Sequence, residues 1–351
     1  MVNDSMINLI GRTPAVRLRL EANSVAPVYA KLEMNNPFGM KDRVAKKAIY
    51  EAINAGILKP GGVIVESSSG TLAMGVTLVG TYLGYDVHII TDPRIDQLTL
   101  AKMKALGANV HIVKEMEEEG GWQRARLNYL HRFMESHPNA FWPRQYENPN
   151  NPLAYEDLAN DLINDIGRVD YLVAAVGSGG SLCGTAKALK KENPSLKVIA
   201  VDAVGSAIFQ QKDQPHRLQG GLGNSLKPQN VDYSIIDSVH WLNDQEAFSW
   251  TLELARHEKI FAGNSSGSVY AVSRWLSTQV NKDNVIVGIF PDRGDRYFHS
   301  IYDEKYLRKH GIISNCLNMN PVEEKDIKDV CNWSYTHINR GEKVNEKVAV
   351  Y

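Results

Sequence analysis

Several things are scarce or missing in this chain of 351 residues, and each absence narrows what it can be. Cysteine occurs three times, as Cys183, Cys316 and Cys331, an odd number without metal-ligand spacing. That argues against a disulfide framework and against a zinc cluster, and it fits reduced thiols in a cytosolic setting. Long apolar runs are lacking: residues 171–176 and 285–290 are strand-sized and far too short to cross a bilayer. Met1-Val2-Asn3-Asp4 has neither the basic nor the apolar segment of a secretory signal, so a cytoplasmic protein is expected. Charge of one sign is not in excess, since 39 Lys and Arg stand against 40 Asp and Glu. A basic face for nucleic acid and an acidic tail are therefore not expected. Internal repeats and low-complexity segments are also missing.

What remains is an ordinary globular composition, 43% hydrophobic and 23% charged, at a length that favours two domains. Apolar β-rich segments at residues 63–65, 87–91, 110–113, 171–176, 198–201 and 285–290 are interleaved with helical stretches at 72–83, 96–106 and 182–192. Continuously apolar strands alternating with helices predict an α/β fold with largely parallel sheets flanked by helices. Such sheets bind ligands at the carboxyl ends of their strands, in the loops that lead into helices. The polar stretch Asn148-Pro149-Asn150-Asn151-Pro152 reads as a crossing between two lobes. Residues 321–333 are expected to form one more helix, on the outside or against a partner.

Four segments carry candidate chemistry. In Asn36-Pro37-Phe38-Gly39-Met40-Lys41-Asp42-Arg43, Lys41 falls where a turn runs into a helix. A lysine amine can form a Schiff base with an aldehyde cofactor; the alternative is an exposed lysine at a helix start. Gly177-Ser178-Gly179-Gly180-Ser181-Leu182-Cys183-Gly184 directly follows the strand at 171–176. Its glycines allow a tight turn whose N–H groups, with the helix behind them, suit a phosphate. A dinucleotide site with Asp202 as the ribose-binding acid stays open, although the third glycine comes late, and so does a purely structural turn. Ser67-Ser68-Ser69-Gly70-Thr71 offers hydroxyls and N–H groups to a carboxylate, to which Gln145 could add an amide. An N-cap by Ser68 or Ser69 is the alternative. Gly263-Asn264-Ser265-Ser266-Gly267 either caps a helix or presents a neutral hydroxyl to a pyridine nitrogen.

Together these segments resemble the cysteine synthase family, the β family of pyridoxal-phosphate enzymes. Residues 36–43 are similar to its lysine motif, 67–75 to its substrate-carboxylate loop, 177–184 to its phosphate loop and 263–267 to its pyridine-serine segment. Gly221-Leu222-Gly223 matches a loop at the mouth of that active site, and the motifs run in the family's order from about residue 8 to residue 307. The resemblance implies the tryptophan synthase β-like fold, pyridoxal-phosphate fold type II. A smaller domain at 38–147 would close over substrate, residues 1–37 plus 148–311 would form a larger cofactor domain, and 312–351 a C-terminal extension. It also implies pyridoxal 5′-phosphate as cofactor, small amino acids as substrates, a homodimer, and no nucleic-acid or membrane partner.

By the same resemblance Lys41 is the Schiff-base lysine and the base that moves the α proton. Gly177, Ser178, Gly179, Gly180 and Ser181 hold the phosphate, and Ser265 the pyridine nitrogen. Ser68, Ser69, Gly70, Thr71 and Gln145 hold the substrate carboxylate, with Thr71 also beside the cofactor and Gly221 beside the substrate. Two departures stand out. The lysine loop lacks a serine that the family commonly has, and Thr71 replaces an asparagine, at a cost of about one hydrogen bond, ~0.5–1.5 kcal/mol. Residues 291–297 resemble the B-type cysteine synthases. Residues 201–209 and 261–268, with Gly120-Gly121-Trp122 and Arg126, are similar to the branch that makes the 2,3-diaminopropionate precursor of staphyloferrin B from O-phosphoserine and glutamate. Arg126 is then a candidate for an anionic part of either substrate, against the alternative of a solvated helix arginine.

The reaction implied is β-replacement on O-acetylserine or O-phosphoserine through an aminoacrylate. Sulfide, giving cysteine, is the first expectation for the nucleophile, and an amino-acid amine such as that of glutamate the second. β-Elimination from cysteine, and an inactive cofactor-bound relative acting as a partner protein, are the alternatives.

Overall fold

The computed structural model describes residues 2–20, 25–118, 121–313, 316–328 and 330–338. Gly120 and the end of the expected C-terminal extension lie outside these. In chain order the strands are β1 (Ala15–Arg17), β2 (Val28–Lys31), β3 (Val63–Ser67), β4 (Asp86–Thr91), β5 (Asn109–Ile112) and β6 (Tyr171–Ala175). They continue with β7 (Lys197–Ala203), β8 (Ser238–Leu242), β9 (Ile286–Ile289), β10 (Val322–Glu323) and β11 (Ser334–His337). The chain divides into two units. The first takes Asn36–Ala154 with the opening residues up to Arg12; the second takes Thr13–Asn35 and the described chain from Tyr155 onward. Residues 38–147 fall within the first unit. It runs on past the polar crossing to Ala154 and includes the opening residues that were expected in the larger domain.

In the first unit β3, β4 and β5 form a parallel sheet in that order. Each strand is followed by a helix: Thr71–Tyr82, Gln97–Ala105 and Gly121–Ser136 respectively. Parallel pairing needs such a crossover, because consecutive strands must start at the same end of the sheet. Val65, Ile90, Val113, Leu130 and Phe133 make its core. Helix Asp42–Asn54 packs on helix Thr71–Tyr82, and Gly75 makes the close approach possible. A Cβ there would sit 3.0 Å from Asp42 Cα and 3.1 Å from Ala45 Cβ.

The second unit is built on an eight-stranded sheet in the order β1-β2-β9-β6-β7-β8-β11-β10. The run β2-β9-β6-β7-β8 is parallel, and β1 and β11 join it antiparallel. Helix Asn264–Gln279 lies on β9 and β6, and helix Gly180–Glu192 returns from β6. Strands buried on both faces explain the apolar runs seen in the sequence.

The tail corrects one expectation. Among its described residues 321–333 form no helix; they lead through β10 to β11, which pairs with β8. Pro321 lacks an N–H, and the next donors go to the following strand, Val322 N to Trp333 O at 3.0 Å and Glu324 N to Tyr335 O at 2.9 Å. Trp333 is fully buried rather than external. Its backbone N–H donates to Glu246 at 2.8 Å and its indole to His240 Nδ1 at 3.3 Å. Burial pushes His240 down to about 3, so it stays neutral and able to accept.

Candidate active site

In the first unit the lysine turn is held by its own helix. Gly39 takes a left-handed-side φ of +134°, and Asp42 Oδ2 accepts the Phe38 N–H at 2.7 Å across the turn. Lys41 occupies the N-cap position of helix Asp42–Asn54 and is half-buried, unlike a free surface lysine. Its Nζ donates to Gln145 Oε1 at 3.2 Å, and Gln145 is buried. The structure therefore brings together two residues 104 positions apart that the sequence assigned to one site.

The Ser67–Thr71 loop stands at the carboxyl end of β3. Ser68 Oγ accepts the Gly70 N–H at 3.2 Å, and Gly70 itself is the N-cap of helix Thr71–Tyr82 with no side-chain cap. The alternative of a serine N-cap is thereby removed. The same holds for the helices that follow the other two candidate loops, which begin on Gly179 and Gly263 without a side-chain cap. Three other helices are capped by Asp96, Asn243 and Asp303, whereas those that open after Pro149 and Tyr155 also lack a side-chain cap. Uncapped first-turn N–H groups are free to meet an anionic ligand.

Arg126, on helix Gly121–Ser136, reaches this loop. Its Nη1 lies 3.3 Å from Ser69 Oγ and 2.9 Å from Asp92 Oδ2, so it is not a solvated surface arginine. Its Nε is buried with no hydrogen-bond partner. Asp92, just past β4, also accepts from Arg94 Nε at 2.9 Å. Burial would raise its carboxyl, but the Arg94 hydrogen bond and the two guanidinium charges outweigh that and hold it below the ordinary 3.8. Glu66, on β3 one residue before the loop, is buried with Oε2 unpartnered. Burial lifts it from 4.5 to about 8, although the charges of Lys41 and Arg126 pull the other way.

In the second unit the turn after β6 has the shape of an anion cradle. Gly179 has φ +83°, and a Cβ there would lie 2.6 Å from Val231 Cγ2 and 2.8 Å from Val231 N. Only glycine fits. Gly180 and Ser181 open the helix, and Ser178 and Ser181 are nearly buried. Gly221, at φ +85°, places its carbonyl oxygen 3.1 Å from where a Gly177 Cβ would be. A Cβ on Gly221 would in turn be 3.8 Å from Ser265 Oγ. Ser265 is fully buried, and its hydroxyl has no hydrogen-bond partner among the described residues. The cradle and the orphaned neutral hydroxyl beside it fit the phosphate and the ring nitrogen of pyridoxal phosphate. The dinucleotide alternative fails on Asp202: it is fully buried and its Oδ1 accepts the Ala203 N–H at 2.8 Å. Burial raises its carboxyl to about 7.

Four residues of these surroundings had no role in the sequence reading: Glu66, Asp92, Asn264 and Tyr297. Asp92 could have been found, since it follows directly on an apolar strand in a parallel sheet, where ligand loops lie. Among the described residues no group of His, Cys, Asp and Glu could hold a metal ion. No described helix is long and apolar enough to cross a membrane.

The profile of the family described as pyridoxal-phosphate dependent enzyme matches residues 6–292. N-(2-amino-2-carboxyethyl)-L-glutamate synthase of Ralstonia nicotianae is 36% identical over 313 residues, covering 88% of this chain and 92% of that protein. Among solved structures, O-acetylserine sulfhydrylase isoform 3 of Entamoeba histolytica superposes with a TM-score of 0.80 at 30% identity, covering 86% of this chain and 92% of that one. The O-acetylserine-dependent cystathionine β-synthase of Helicobacter pylori gives 0.79 at 29%, covering 86% and 100%. With its fold-type II architecture, this chain belongs to the cysteine synthase family of pyridoxal-phosphate-dependent enzymes, as a β-replacement-type member whose cofactor is pyridoxal 5′-phosphate.

Proposed function

We propose that the chain replaces the β substituent of an activated serine, O-phosphoserine or O-acetylserine, with the amine of a second, acidic amino acid such as glutamate. Lys41 Nζ would bind the cofactor aldehyde and, once displaced by the substrate amine, hold and move the α proton. Gln145 Oε1 aims that amine. Gly177 to Ser181 would take the phosphate on the open N–H groups of their helix, and Ser265 would give the ring nitrogen a neutral partner in place of a carboxylate. When bound, the cofactor supplies the electron sink for breaking bonds at the α and β carbons. Ser68, Ser69, Gly70 and Thr71 would hold the substrate carboxylate on the uncapped start of helix Thr71–Tyr82. Homodimerisation and a cytoplasmic location belong to this same reading.

The observation that carries the choice of nucleophile is Arg126. A guanidinium reaches the substrate loop while one of its buried N–H groups lacks an acceptor, an arrangement that favours an incoming anion. Sulfide has no carboxylate to fill that place. The relative from Ralstonia nicotianae, named for a glutamate product, supports the same choice. Sulfide remains the second reading, supported by the likeness to O-acetylserine sulfhydrylase.

Mixing the enzyme with O-phosphoserine or O-acetylserine, then with glutamate or sulfide, and identifying the product by mass spectrometry tests the choice. The amine-linked product should dominate. Arg126→Met should raise the KM for glutamate about 10–100-fold, the worth of a hydrogen bond to a charged group, and leave that for sulfide nearly unchanged. Cysteine as main product, or equal effects on both nucleophiles, would overturn the proposal.

A further inference from the structure

Residues 291–297 hold none of the roles assigned above, yet they wrap the segment that bears Ser265. Ala262 and Arg293 form an isolated antiparallel bridge. The Gly263 N–H donates to Asp292 O and the Gly294 N–H to Phe261 O, both at 3.0 Å. Tyr302 adds a hydroxyl bond to Ala262 O at 2.6 Å. Behind this ladder the buried Tyr297 donates its hydroxyl to Asp292 Oδ2 at 2.8 Å, an oxygen that Arg296 Nη1 also holds at 3.0 Å. Burial, and after it the charge of Asp292, raises the phenol above its ordinary value, so Tyr297 remains a donor.

Tyr297 is also in contact with both sides of the candidate ring-nitrogen site. A Cβ on Gly263 would overlap the Asp292 carboxylate and stand 2.5 Å from the Tyr297 ring. On the other side the Tyr297 hydroxyl is 3.8 Å from the Cβ positions of Gly220 and Gly221, and Ser265 Oγ is 3.8 Å from that of Gly221. Asn264 closes the group by bonding Gly220 in both directions, Nδ2 to O at 3.0 Å and Oδ1 from N at 3.3 Å. The phenol therefore fills the wedge between the start of helix Asn264–Gln279 and the 220–221 loop. A serine hydroxyl is aimed by the backbone that carries it, and here Tyr297 fixes that backbone from behind.

We propose that Tyr297, locked by its hydrogen bond to Asp292, is a positioning residue that sets the direction in which Ser265 offers its hydroxyl to the pyridine nitrogen of the cofactor. The inference rests on the assignment of Ser265 made above. The 291–297 motif thereby holds a neutral partner on the ring while keeping the nearby Asp292 carboxylate occupied by Tyr297 and Arg296.

A double-mutant cycle on cofactor affinity tests it. Holoenzymes are dialysed against graded pyridoxal phosphate and the bound fraction is read from visible absorbance, with the band position as a second readout. Ser265→Ala should weaken affinity about tenfold, the loss of one hydrogen bond, and Tyr297→Phe by a similar factor with the same band shift. The double variant should be no weaker than Ser265→Ala alone. If Ser265→Ala changes neither affinity nor band, the Ser265 assignment falls and this inference with it. If Ser265→Ala acts but Tyr297→Phe does not, or the two losses multiply, only the inference falls. Should Tyr297→Phe not fold, Asp292→Asn takes its place in the cycle with the same expected outcome.

Discussion

Replacing Glu66 by Gln should flatten the pH dependence of stability, and the size of the effect follows from where the residue sits. Glu66 lies within β3, and burial lifts its carboxyl from 4.5 to about 8. Between those values the folded chain keeps a proton that the unfolded chain has released. Stability therefore falls as pH rises through that window, by up to about 1.4 kcal/mol per pH unit from this one group. Across the window the loss is on the order of 4 kcal/mol; it vanishes below the unfolded value and stays at full size above the folded one. Gln keeps the shape without the titration. The variant should match wild type near the acid end and exceed it by several kcal/mol above about pH 8. Asp202, raised from 3.8 to about 7, acts in the same direction in both proteins and cancels in the comparison. Urea unfolding followed by tryptophan fluorescence, at fixed cofactor concentration and from about pH 5 to about pH 8.5, measures the difference. Parallel stability curves for the two proteins would refute the reasoning.

Lys41→Ala should abolish the visible band of lysine-bound cofactor and the adduct that borohydride fixes to the chain; a reducible adduct surviving in the variant, seen by mass spectrometry, would refute the lysine assignment. Gly179→Ala puts a side chain at φ +83° and against Val231. It should cost about 1–3 kcal/mol in backbone strain alone, with weaker cofactor binding in an absorbance titration; unaltered binding would count against the cradle. Trp333→Ala empties a buried site beside Trp250 and His240. It should lower the unfolding free energy by about 3–5 kcal/mol in urea titrations, whereas a shift under about 0.5 kcal/mol would mean the tail is not part of the core.

Strands such as β6 and β9 were legible because burial on both faces makes them continuous apolar runs, and the helices between parallel strands follow from the crossover that parallel pairing demands. β8 was not: Ser238-Val239-His240-Trp241-Leu242 is buried throughout but reads as mixed polarity, and the partner of its buried histidine, the Trp333 indole, lies far along the chain. β11 lies just past the expected 321–333 helix and is not announced locally, because its partner strand β8 lies almost a hundred residues earlier. At the candidate site, glycines and hydroxyls after strands were readable, as loop chemistry is local. Tyr297 was not, because it acts through contacts with the 220–221 loop that only the folded chain creates, and the pairing of Asp92 with Arg126, on the second helix after it, was equally hidden.

The antiparallel addition of β11 to β8 has a consequence for handling this protein. A chain shortened at about residue 311 would leave Ser238–Leu242 as the bare margin of a long sheet, a row of open amide groups flanked by valine, tryptophan and leucine. Such a margin recruits further strands from neighbouring molecules, so a shortened product should be prone to aggregate even though every candidate site residue is retained. The last described residues thus guard solubility by denying that margin to other chains.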